Sequence, residues 1–155
     1  MSKSVQSAIL GRLTYNEQFR HYSTQIVHND ATIEVTLNVD TDDGVANMLP
    51  LAEQVWKGRS RHIKAFRDYA ATQLLDELSK FLLADDEESE PITSKQLQRI
   101  LRVPSSISFH FERHSKDNVE FCITGPGSVC LREHCLYVFF AGNGTIKGGE
   151  VVRLF

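Results

Sequence analysis

Apolar side chains recur at helical spacing through residues 59–83, a stretch of 25 residues that contains neither glycine nor proline. The recurring positions are Ile63, Phe66, Ala70, Leu74, Leu78 and Phe81. Because they are three or four residues apart, they form one stripe on a helix with 3.6 residues per turn. We therefore predict a single helix about 37 Å long, with its apolar stripe lying against a sheet.

Period-two alternation of apolar and polar side chains predicts strands on both sides of this helix. The alternation is clearest in residues 31–39, where Ile33, Val35 and Leu37 lie between polar neighbours. The predicted strands cover residues 9–15, 22–27, 31–39, 107–111, 119–123 and 135–141, with a last one around 151–152. Residues 1–7 are small and polar, and we expect them to be flexible.

Two further helices are predicted, one on each side of the long helix. The first covers residues 45–56, with Pro50 expected in its first turn, where a missing N–H is tolerated. The other covers residues 94–101 and begins with a capping box made by Thr93 and Gln96. The resulting order, β-β-β-α-α-α-β-β-β-β, predicts an α+β fold in which helices pack on one face of an antiparallel sheet. We expect one domain over residues 1–155, with an acidic surface loop at 84–92.

Charge and composition narrow the classes of function. The net charge of −3 and the pI near 6.1 argue against nucleic acid as a partner. No apolar run approaches 18 residues, which argues against a membrane span, and the first ten residues lack the apolar core of a secretory signal. The odd number of cysteines, three, fits a reducing cytoplasm better than a disulfide framework.

Four short motifs resemble domain-of-unknown-function family 2262, an uncharacterised bacterial family. They are GRLTYNEQF at 11–19, DYAATQLL at 68–75, LRVPSSI at 101–107 and EHCLYV at 133–138. The last motif departs from the family pattern, because Glu133 replaces a glycine and Cys135 a serine. The resemblance implies an α+β fold and supplies no activity. Some neighbouring uncharacterised families look like immunity proteins of bacterial toxin systems.

Four potential metal ligands fall within 14 residues in the C-terminal part of the chain. They are Cys122, Cys130, His134 and Cys135, and thiolates with imidazole suit zinc. The spacing lacks a Cys-x-x-Cys pair. In addition, His134 and Cys135 are adjacent, so that in a strand they would point to opposite faces. We therefore predict no metal and no cofactor, and interpret the cysteines as small buried apolar residues.

His134 is also a candidate base for a cysteine nucleophile, either Cys122 or Cys135. No nucleophile elbow or glycine-rich turn precedes either cysteine. The sequence therefore favours a non-enzymatic role. A small enzyme or ligand-binding domain that uses His134 is the alternative.

Two charged clusters lie near the two ends of the long helix, the basic one in its first turns and the acidic one just after its last residue. The basic cluster includes Arg59, Arg61 and Lys64, and the acidic cluster consists of Asp85, Asp86, Glu87 and Glu88. An acidic run is usually a solvated surface, but it can also cover a basic site on a partner and speed the encounter. We predict a cytoplasmic protein-binding module, and an immunity-type protein that masks a toxin or another partner is one form that it would take. Homodimerisation through the sheet is a third hypothesis.

Overall fold

The computed structural model describes residues 3–39, 42–88, 90–113, 118–126 and 134–153. Within these residues, eight strands form one sheet whose order across the sheet is the order along the chain. The strands are β1 (Ser4–Ser7), β2 (Gly11–Asn16), β3 (His21–His28), β4 (Ala31–Leu37), β5 (Ser106–Phe111), β6 (Val119–Gly125), β7 (His134–Phe140) and β8 (Ile146–Arg153). The helices described between β4 and β5 are α1 (Asp42–Lys57), α2 (Arg59–Gln73), α3 (Leu75–Asp85) and α4 (Ser94–Ile100).

The predicted fold class is wrong in its element order and in its purely antiparallel sheet. Strands β1–β4 pair antiparallel with one another, as do β5–β8, but β4 and β5 pair parallel, with Val35 opposite Ile107. The sheet is therefore mixed. The parallel pair arises because the chain leaves β4, passes through the helices and re-enters the sheet from the end at which β4 began.

The additional first strand, β1, lies in the segment that the sequence indicates to be flexible. It has no apolar alternation, and polar contacts hold its end in place instead. The buried Ser7 hydroxyl donates to Glu53 Oε2 of α1 at 2.6 Å, and the Leu10 N–H donates to Ser7 Oγ at 2.9 Å. Strand pairing supplied by the backbone of β2 leaves little trace in hydrophobic patterning.

The predicted 25-residue helix is divided at Leu74 into α2 and α3. The Thr72 hydroxyl donates to the Asp68 carbonyl at 2.7 Å, one turn earlier. Such back-bonding competes with the helical ladder and often bends a helix. Helix α2 contacts Phe121 of β6 through His62, whereas α3 contacts His134 of β7 through Phe81.

Helix α1 begins at Asp42, which places Pro50 in the helix interior instead of the predicted first turn. Proline at position 50 cannot donate to the carbonyl of Ala46, four residues earlier. The capping box of α4 is confirmed: Gln96 N–H donates to Thr93 Oγ1 at 3.1 Å, and Thr93 N–H donates to Gln96 Oε1 at 2.9 Å.

The core lies between the helices and the sheet. Four buried side chains from β4 to β7 lie in register across its centre: Leu37, Phe109, Phe121 and Phe140. The rings of Phe121 and Phe140 stack with centroids 4.7 Å apart, and His62 of α2 packs edge-on against Phe121. This face of the sheet, which we call the helix face, carries the large apolar side chains because α1 and α2 cover it.

Candidate functional site

The acidic cluster, which we call the acidic segment (residues 85–88), lies at the C-terminal end of α3. Asp86 caps the helix in an extended conformation, and its side chain accepts a hydrogen bond from the Glu88 N–H at 3.0 Å. The last turn of α3 contains no basic residue. Because the carbonyl end of a helix carries partial negative charge, the helix adds to the negative potential of these carboxylates.

Asp85 differs from the other three acidic residues because it faces the sheet. Its Oδ1 atom lies 3.1 Å from Arg153 Nη1 of β8, and its Oδ2 atom lies 3.9 Å from His134 Nε2 of β7. Only 22% of the Asp85 side chain is exposed. Asp85 therefore ties the end of α3 to the sheet through a partly covered side chain, although the residue as a whole is exposed, as are Asp86, Glu87 and Glu88.

His134 has no exposed surface. Its ring lies on the helix face and packs against Phe81 of α3, with centroids 5.3 Å apart. A substrate or ligand could reach the ring only if α3 moved. The contact between His134 and Asp85 was missed from the sequence, because residues so far apart in the chain give no local signal.

The cysteines lie on the opposite face of the sheet from His134. Cys122 and Cys135 are both buried, but Cys122 is opposite Phe139 of β7, four residues along that strand from Cys135. At 3.3 Å per residue the two positions are about 13 Å apart. Cys130 lies outside the described residues. Within the part of the chain that the structure describes, no three His, Cys, Asp or Glu side chains are grouped to hold a metal ion.

Burial also determines the ionisation of Cys122. Removal from water raises the pKa of its thiol to about 11, although a hydrogen bond with Thr124 acts in the other direction. The thiol is therefore protonated at neutral pH. A protonated, buried thiol is a poor nucleophile.

The basic cluster is largely engaged in contacts within the chain. Arg59 donates from Nε to His28 Nδ1 at 2.9 Å, and its guanidinium lies 4.6 Å from the ring centroid of Trp56. Lys64 pairs with Asp68 at 2.6 Å. Arg61 is exposed. The arrangement gives Arg59 and Lys64 partners within the chain, although the side chain of Lys64 is still 68% exposed.

A groove of about 690 Å³ lies at the other end of strand β7. One wall is α1, with Pro50 and Leu51, and the other is formed by the ends of β5 and β6 and by the β7–β8 turn. Its polar side chains are Asn47, Gln54, Glu112, Asn118, Glu120, Asn143 and Lys147. The sequence did not reveal this groove, because its lining comes from four separate stretches and forms no motif.

Charged side chains in the groove contact one another and the neighbouring His110. Glu120 Oε1 lies 2.6 Å from Lys147 Nζ, and Glu120 Oε2 lies 3.6 Å from His110 Nε2. Asn118 donates to Glu112 Oε2 at 3.3 Å. The hydrogen bond with Glu120 raises the pKa of Lys147, which keeps its ammonium charged.

The model of one protein family matches residues 7–146. The chain belongs to domain-of-unknown-function family 2262, described as an uncharacterized protein conserved in bacteria. The resemblance seen in the sequence is thus confirmed. No curated protein and no solved structure matches the chain.

The part of the chain matched by family 2262 includes the acidic segment, His134 and most of the groove. Lys147 and Arg153, the cations that pair with Glu120 and Asp85, lie beyond the matched residues. No helix among the described residues is both long and apolar enough to cross a membrane.

Proposed function

We propose that this member of family 2262 is a non-enzymatic module that binds another protein, with the acidic segment facing a basic surface of its partner. The observation that carries the proposal is the placement of Asp86, Glu87 and Glu88, which are exposed at the carbonyl end of α3. Negative charges at this end of a helix each cost roughly 0.3–1 kcal/mol of stability. Cations on a partner would relieve this repulsion.

The anchoring of the segment supports the same proposal. Asp85 joins the end of α3 to Arg153 of β8 at 3.1 Å, so that the neighbouring carboxylates are presented from a fixed point on the sheet. A preorganised surface loses less conformational entropy when it binds. Exposed charges of one sign also raise the rate of encounter with a basic partner.

Two features argue against catalysis by His134 or Cys122 and so favour a binding role. The His134 ring has no exposed surface, and the Cys122 thiol has a pKa of about 11. A catalytic base must come within hydrogen-bond reach of its substrate, and a thiol nucleophile must ionise. Masking the surface of a toxin, as immunity proteins do, is one form that the proposed binding would take.

The proposal is tested by affinity capture of the tagged full chain from its own cells, at low and at high salt. The test variant is Glu87→Gln/Glu88→Gln. The matched control is Glu17→Gln/Asp30→Asn, which removes two exposed acidic charges elsewhere, and each double variant changes the net charge from −3 to −1.

We expect one stoichiometric partner that is captured at low salt, lost at high salt, retained by the control and weakened by the test variant. Equal capture by the test variant and the wild type would contradict a role for the acidic segment. Capture of nothing but further copies of this chain would favour the homodimer hypothesis instead.

A further inference from the structure

We propose that the groove beside α1 is a second contact site, which binds the guanidinium or ammonium group of a basic side chain. This inference rests on the proposed function in one respect only, namely that a partner protein presents the basic side chain. The preference for a cation follows from the residues of the groove itself. The groove and the acidic segment lie at opposite ends of β7, about 20 Å apart at 3.3 Å per residue. They are therefore separate surfaces.

The size of the groove suits a single extended side chain and the backbone that carries it. Its volume of about 690 Å³ lies within the range of small-ligand sites. The wall contributed by Gly142 is closely packed, since a Cβ atom there would lie 2.6 Å from the Val119 carbonyl oxygen and 3.6 Å from Leu51 Cδ2. The apolar part of the lining could cover the methylene groups of a long basic side chain.

The charge of the groove favours a cation. Glu112 and Glu120 contribute two carboxylates, and Lys147 contributes one ammonium that is already paired with Glu120 at 2.6 Å. Two negative charges and one positive charge leave a net charge of −1. Glu112 is exposed and accepts a hydrogen bond from Asn118; among the described residues it has no direct ion pair, although its charge contributes to the raised pKa of Lys147.

Helix α1 contributes the polar side chains of Asn47 and Gln54 to the same wall, and it carries a carbonyl without its usual donor one turn before Pro50. Because Pro50 lies inside the helix, the Ala46 carbonyl lacks the intrahelical donor that another residue at position 50 would supply. Pro50 itself lines the groove. A guanidinium group offers five donors in a fixed planar arrangement, which suits a site with a carboxylate and further acceptors around it.

The test measures binding to the full isotope-labelled chain by nuclear magnetic resonance. The probe is Nα-acetyl-arginine methylamide, and the control probe is the citrulline counterpart, which has nearly the same shape but no charge. The carboxamide side chains of Asn47, Gln54, Asn118 and Asn143 surround the groove and report binding through their NH₂ signals.

We expect these signals to shift with the arginine probe, with a dissociation constant on the order of millimolar, and to stay unchanged with the citrulline probe. Glu112→Gln, an exposed and nearly isosteric change, should weaken binding about tenfold, since it replaces a charge-assisted hydrogen bond by a neutral one. Glu17→Gln should leave the affinity unchanged. Equal shifts with both probes, or none up to the solubility limit of the arginine probe, would overturn the proposal.

The capture experiment distinguishes failure of the groove proposal from failure of the proposed function. Loss of the partner with Glu112→Gln but not with Glu87→Gln/Glu88→Gln would retain the groove and reject the acidic segment. Loss with the double variant alone would reject the groove as a partner contact and retain the segment.

Discussion

The β7–β8 hairpin has an ion pair at each end, and the two ends differ in what surrounds the pair. In both cases a cation of β8 meets a carboxylate from another element: Arg153 with Asp85 at 3.1 Å, and Lys147 with Glu120 at 2.6 Å. Beside the first pair lies His134, which has no exposed surface. Beside the second lies an open groove with further acceptors.

The difference shows that similar ion pairs serve different purposes. At the His134 end, the pair fastens α3 to the sheet, and the carboxylates that remain accessible are those beyond the helix. At the groove end, the pair holds a carboxylate of which only 14% of the side chain is exposed, next to space that another molecule could fill. The two ends therefore differ in the space around the ion pair, which is filled at the His134 end and open at the groove end.

The largest effect on stability is expected at the His134 end of the hairpin. His134→Ala removes a fully buried ring that packs against Phe81, and the resulting cavity should lower the free energy of unfolding by about 2–4 kcal/mol. Urea unfolding, followed by circular dichroism, measures the change. At temperatures where the variant is folded, arginine-probe binding in the groove should be unchanged. A fully stable variant that no longer captures its partner would instead identify His134 as part of a binding site.

At the groove end, Pro50→Ala should stabilise the protein. Alanine restores a donor for the Ala46 carbonyl within α1, and we expect a gain of about 1–2 kcal/mol after the increased entropy of the unfolded chain is subtracted. Because Pro50 lines the groove, loss of its ring should also weaken arginine-probe binding. An unchanged or lower urea midpoint would show that the proline is not strained in this helix.

The two ion pairs can be compared directly with Arg153→Gln and Lys147→Gln. Both cations are about half exposed, so each substitution should lower the free energy of unfolding only slightly. Hydrogen exchange should distinguish them. Arg153→Gln is expected to speed exchange at the Asp86 amide, which bonds to the Leu82 carbonyl at 3.1 Å, whereas Lys147→Gln should leave this amide unaffected. Equal exchange in both variants would contradict the anchoring role of Arg153.

The smallest effect is a dependence of stability on pH. The pKa of His62 lies below its ordinary value of 6.5, mainly because the ring is removed from water and to a smaller extent because of the nearby Arg61. Burial and Arg59 lower the pKa of His28 in the same way. The unfolded chain therefore takes up protons first as the pH falls. Stability should be complete above about pH 6.5 and decrease on acidification below it. Urea midpoints between pH 7.5 and 5 measure the loss, and His62→Phe should reduce it.

The parts of the fold that were predictable from the sequence are those with strong local signals. The alternation of Ile33, Val35 and Leu37 indicated a strand, and Thr93 with Gln96 indicated the start of α4. Strand β1 lacks such a signal because its pairing depends on the backbone of β2. The division at Leu74 was also missed, since it follows a side-chain hydrogen bond of Thr72 that hydrophobic spacing does not register.

The candidate sites were predictable to different degrees for a similar reason. The acidic segment is contiguous in sequence, so its residues could be named in advance, although the special position of Asp85 could not. The groove combines α1 with strand ends and a turn far along the chain. Such a site depends on how the strands are arranged in the sheet, and the sequence did not predict this arrangement.

Because the order of strands in the sheet is their order in the chain, each half of the sheet forms from contiguous sequence. During synthesis, β1–β4 can pair as soon as residue 37 has emerged, but the partner of β4 begins only at Ser106. At ordinary rates of translation the delay is about 3–14 s. In the finished sheet β4 lies between two strands, but during this interval its outer edge is unpaired and can pair with another chain. The nascent protein therefore has its greatest risk of aggregation before the helices and second half of the sheet are made.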